Sequence, residues 1–119
     1  MRTLLRHLAP SSLTCALALV VFGGVALAGE PTTPLGKWMK PNIGAPLAEQ
    51  DFPTLAKNLA LVAAKPPPGT AYPKWVEMSK AGAAAAGKQD LAGVKASCKT
   101  CHDAYKESYK KDFPKLAFP

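Results

Sequence analysis

Beyond residue 28 this chain has few of the residues that hold metals or bind nucleic acid. Residues 29–119 contain no arginine, one histidine (His102), two cysteines (Cys98 and Cys101) and two methionines (Met39 and Met78). A zinc half-site built on the cysteine pair would need further ligands, and no other Cys or His is there to supply them. Without arginine or a basic patch interleaved with aromatics, nucleic-acid binding is not expected. No stretch alternates apolar and polar residues in the strand period, so the βαβ setting of a thioredoxin-like cysteine pair is missing as well. No internal repeat is evident.

What is present begins with an export pattern. Arg2 and Arg6 form a basic leading region, Leu13 to Leu27 an apolar run, and Ala26-Leu27-Ala28 a small-x-small processing site. Cleavage after Ala28 is expected, which would leave no stable membrane span. The run is short for a membrane helix, and Cys15 lies before most of it rather than at its end, where a lipid-modified cysteine would stand. The remaining 91 residues make one small domain, residues 29–119. A chain of that size buries a modest core and profits from a covalent or metal staple. Its thirteen lysines against eight acidic residues leave a formal charge of +5. Most of these lysines read as solvated surface; a basic rim that steers an acidic partner is the sharper reading.

The staple is written near the carboxyl end, as Cys98-Lys99-Thr100-Cys101-His102. C-x-x-C-H is the attachment signature of c-type haem. On a helix, residues three and four apart share a face, so both sulfurs reach one edge of the macrocycle while His102 presents its imidazole to the iron. One haem c per chain is expected, held by Cys98 and Cys101 with His102 as proximal ligand. Its two propionates would bring the charge to about +3.

Four helical segments are predicted. The first, around Pro34 to Ala48, aligns Leu35, Trp38, Met39 and Asn42, and Pro41 and Pro46 should kink it or end it early. The second starts at Asp51 as N-cap, with Phe52, Leu55, Leu59 and Val62 at helical spacing, and stops at Pro66-Pro67-Pro68-Gly69. The third, Tyr72 to Ala86, puts Trp75, Met78, Gly82 and Ala85 on one face and ends in a run of small residues. That run suits either a close helix neighbour or plain low complexity. Gly87 as C-cap and Asp90 as N-cap predict a tight turn into the fourth helix. There Leu91, Val94, Cys98, Cys101, Tyr105 and Tyr109 form the apolar stripe, opposite Lys95, Lys99, Asp103, Lys106 and Lys110. The expected fold is all-α, an antiparallel four-helix bundle with covalently attached haem on the C-terminal helix.

Only seventeen residues follow His102, and none is methionine. That order differs from the common small cytochromes c, where the motif comes early and a ligand methionine much later. Residues Asp90 to Lys111, and above all Cys98-Lys99-Thr100-Cys101-His102-Asp103-Ala104-Tyr105-Lys106, resemble the class II c-type cytochromes, the cytochrome c′ family. The chain departs from that family in being shorter and in carrying prolines in its first helix. On the residues alone, Met39, Met78, a lysine such as Lys37 or Lys40, or no protein group at all can face the iron opposite His102. The resemblance favours Met39, because low-spin relatives draw a methionine from the first helix. It implies a periplasmic electron carrier, not an enzyme, that serves other redox proteins. The alternative is a five-coordinate protein that binds or senses a gas such as NO or CO. Tyr105 and Trp38 are candidate pocket walls, and Trp75 reads as core. Whether the chain is a monomer or a homodimer is left open.

Overall fold

The computed structural model describes residues 29–119; the expected export signal in residues 1–28, with His7 and Cys15, lies outside the described residues. Among the described residues every regular element is helical, in agreement with an all-α chain. Helix α1 (Pro34–Met39), a π-helical turn (Lys40–Gly44) and α2 (Ala45–Glu49) follow one another without a break and form a single arm. Helices α3 (Phe52–Ala64), α4 (Trp75–Gly87) and α5 (Leu91–Asp112) complete the domain. The arm packs on α3, α3 on α4, and α4 on α5. Among the described residues no helix is long and apolar enough to cross a membrane.

The prolines of the first arm do not end it. Pro41 enters the π turn, where the Ala45 N–H reaches back five residues to the Lys40 carbonyl. Pro46 has no N–H to offer the Asn42 carbonyl, its partner in a regular α-helix. That carbonyl instead accepts from the Asn58 side-chain amide of α3 at 2.7 Å. Asn42 in turn donates its own side-chain amide to the Trp38 carbonyl at 2.8 Å. Tertiary hydrogen bonding thus satisfies what proline removes. Asn58→Asp keeps the shape but turns an acceptor towards that carbonyl, and is expected to cost about 1–3 kcal/mol. Thermal unfolding should show it as a drop of roughly 4–8 °C per kcal/mol.

The two tight helix junctions share one device. Gln50 and Gln89 both take left-handed backbone angles, each with φ of 55°. The Asp51 N–H bonds the Pro46 carbonyl and the Gln50 N–H that of Leu47; Asp90 and Gln89 bond Ala85 and Ala86 in the same way. This is the Schellman pattern, which usually has glycine at the left-handed position. Gly87, expected as the C-cap, is instead the last residue of α4. In each case the next residue is an aspartate that caps the following helix: Asp51 accepts from the Thr54 N–H at 3.2 Å and Asp90 from the Gly93 N–H at 2.9 Å. Hydrogen bonds from Thr54 hold the Asp51 carboxyl below its ordinary range. Gln50→Gly and Gln89→Gly should each raise stability by about 0.5–1 kcal/mol, read as a higher unfolding midpoint.

Helix α4 starts three residues later than the sequence predicts. Pro73 disfavours helical angles at Tyr72, and the Trp75 N–H closes a turn on the Tyr72 carbonyl before the helix begins. The small residues of α4 serve close helix approach: a Cβ at Gly82 would lie 2.9 Å from Ser97 Oγ and 3.3 Å from Leu59 Cδ1. Ser97 donates to the Met78 carbonyl across this contact at 2.7 Å. The core has two parts. Ile43, Leu55, Leu59, Ala86 and Val94 form an aliphatic cluster. Leu35, Val62, Tyr72, Trp75 and Tyr109 form a mainly aromatic one. Trp38 and Met39 pack against both.

Candidate functional site

A cavity of about 680 Å³ opens between the first arm and α5. That is within the ~300–1,000 Å³ usual for cofactor-sized sites. From α5 it is lined by Ser97, Cys98, Cys101, His102, Tyr105, Lys106, Tyr109 and Lys110, a stripe at helical spacing. The residues between them face solvent. Lys99 is bonded to Asp103 at 2.5 Å one turn on, and Thr100 donates to the Ala96 carbonyl at 2.9 Å. Amphipathicity of α5 therefore turns Cys98, Cys101 and His102 towards the cavity together.

The first arm supplies the facing wall in steps of four: Leu35, Met39, Ile43 and Leu47, with Gly36, Lys40 and Gly44 beside them. On a straight α-helix each four-residue step drifts by about 40° around the axis. The wider π turn takes up that drift, so four successive turns keep the same outlook. Met39 closes α1 at the entry to this turn and is half-buried. Helices α3 and α4 add Leu59, Val62, Trp75, Met78 and Ser79. The segment Gly29–Thr33 lines one edge; Glu30 bonds Lys40 at 3.0 Å, and Thr33 accepts the Gly36 N–H at 3.0 Å.

Most of the residues singled out in the sequence meet here. Cys98, Cys101, His102, Met39 and Tyr105 all line the cavity, and so does the second methionine, Met78. Trp38 does not: its ring meets Phe118 edge-on at 4.8 Å between centroids and packs between the core clusters. Neighbouring helical residues diverge by about 100°, so Trp38 and Met39 face different ways. Trp75, expected in the core, is both core and cavity wall. Lys106 and Lys110, expected on a solvated stripe, lie at the cavity edge. The spacing held that signal, since they follow His102 by one and two turns.

Burial pushes both thiols up from their ordinary range, and proximity to Cys98 adds to the effect at Cys101. Both lie well inside α5, far from the helix N-terminus that would favour a thiolate. A dithiol oxidoreductase needs the opposite, a depressed thiol pKa. His102 is accessible through the cavity yet crowded by protein. That partial desolvation, with Lys106 next to it, lowers its pKa against the weaker pull of Asp103. The imidazole is therefore neutral at pH 7, with a lone pair free to ligate. Two inward thiols, a neutral imidazole, thioethers on other helices and apolar walls form a donor set that fits a covalently held haem. Compared with known protein families, curated proteins and solved structures, the chain matches none.

Proposed function

We propose that this protein is an exported monohaem c-type cytochrome of the class II kind, an antiparallel four-helix bundle closed around its haem, which carries electrons between periplasmic redox proteins. The observation that supports it most is the joint lining of one apolar cavity by Cys98, Cys101 and His102 on α5 and Met39 on the first arm. Bound haem would supply a one-electron iron couple. Cys98 and Cys101 would hold the group by thioethers, and His102 through its neutral imidazole and Met39 through its thioether sulfur would serve as iron ligands. Leu35, Ile43, Leu59 and Val62 keep water from the site, and dryness together with a sulfur ligand favours the reduced state. Lys40, Lys106 and Lys110 put positive charge at the cavity edge. That charge suits haem carboxylates and an acidic docking surface alike.

A potentiometric titration of the exported, matured protein tests this reading. One reversible one-electron wave, shifted downward when Met39 is replaced, is expected. A protein that carries covalent haem but binds carbon monoxide or nitric oxide promptly in its unmodified form would contradict electron transfer and identify a gas-binding site.

A further inference from the structure

The segment that follows α5 returns to the opposite wall of the cavity. Pro114 disfavours helical angles at Phe113, and α5 ends at Asp112. The Leu116 N–H then closes a turn on the Phe113 carbonyl. Beyond the turn the segment passes the end of α3, where Leu116 and Ala117 share a small cavity with Ala64 and Pro66. It reaches α1 at Phe118, whose ring meets Trp38 edge-on at 4.8 Å between centroids. Both rings are half-buried.

Helix α1 has six residues. A helix that short does not hold its own geometry in water, so α1 lies where its contacts put it. Met39 faces the cavity, and Trp38, about 100° round the axis, does not. Phe118 therefore grips α1 from outside the cavity. The first arm packs on α3 and α5 packs on α4, so this segment is a short route between the wall that carries His102 and the wall that carries Met39. We infer that Phe118 is a positioning residue for Met39: the segment after α5 clamps α1 through Trp38 and holds the first arm closed over the cavity.

The inference rests on the haem reading for the role of Met39 at the iron, whereas the clamp itself needs only the protein. The Trp38–Phe118 contact exists while the arm is seated and is lost when the arm lifts. All of its free energy therefore favours the closed state. An edge-on aromatic pair shifts such an equilibrium by roughly three- to tenfold. The clamp thus bears on whether the site works as a closed electron carrier or admits a gas.

Phe118→Ala in the mature protein tests this, with Phe118→Tyr and Leu55→Val beside it. Carbon monoxide uptake by the reduced protein reads how often Met39 leaves the iron. Phe118→Ala should speed uptake roughly three- to tenfold, and Phe118→Tyr, which keeps the ring, should restore the parent rate. Leu55 is fully buried and does not line the cavity. Leu55→Val should lower the unfolding midpoint and leave uptake unchanged. Hydrogen exchange reads the clamp without the haem: Phe118→Ala should lose protection across residues 34–49 and keep it in α4. Parent-like exchange across 34–49 would overturn the clamp, as would equal losses in Leu55→Val. Lost protection with parent-like uptake would overturn the positioning of Met39. Covalent haem content of the same samples, measured after denaturation, decides the proposed function separately.

Discussion

Replacing Cys98 and Cys101 together with alanine is expected to abolish covalent haem incorporation and to lower the stability of the protein that remains. These are the only cysteines among the described residues, both half-buried on the cavity side of α5. Each single variant should retain one thioether and reduced haem content. The core is modest, its buried side chains divided between one aliphatic and one mainly aromatic cluster. Loss of a covalent staple from so small a domain should cost about 2–4 kcal/mol, the range of a disulfide. Haem staining after denaturing electrophoresis reads the first effect, because only covalent haem survives it. Thermal unfolding reads the second. Full staining in the double variant would show that the attachment assignment is wrong.

Met39→Ala is expected to open the iron on the side away from His102. The spectrum should change from low-spin to high-spin, carbon monoxide should bind promptly, and the midpoint potential should fall. The fall should be on the order of 0.1 V, a fraction of the ~0.8 V that axial ligands span. Met78 lines the same cavity and makes the necessary control. Met78→Ala should leave the spectrum low-spin and shift the potential far less. If Met78→Ala opens the iron and Met39→Ala does not, the ligand lies on α4, and the π turn has only a packing role.

The cavity-facing stripe of α5 could be read from the sequence because it is local. Cys98, Cys101, His102 and Tyr105 recur at helical spacing, and amphipathicity alone turns them inward. The helix ends were also legible at Asp51 and Asp90, where a carboxylate caps the first turn. The first arm was less so. Pro41 and Pro46 are breakers by any local rule, and the Asn58 amide that offsets Pro46 comes from sixteen residues beyond Asn42. That Met39 lines the cavity while Trp38 does not depends on how α1 is turned, which a stripe containing both residues leaves open. Trp75 shows a further limit. Its spacing marks a buried face, but spacing cannot tell a core from a cavity wall.

The central claim is that one haem is covalently held and closed on both faces by protein ligands. Its most direct test is the optical spectrum of the protein matured with a haem-attachment system, oxidised and reduced, before and after carbon monoxide. The account predicts haem that resists extraction, a six-coordinate low-spin spectrum, and no prompt change on adding the gas. A high-spin spectrum that shifts at once would contradict closure by Met39, and protein without covalent haem would contradict the account as a whole.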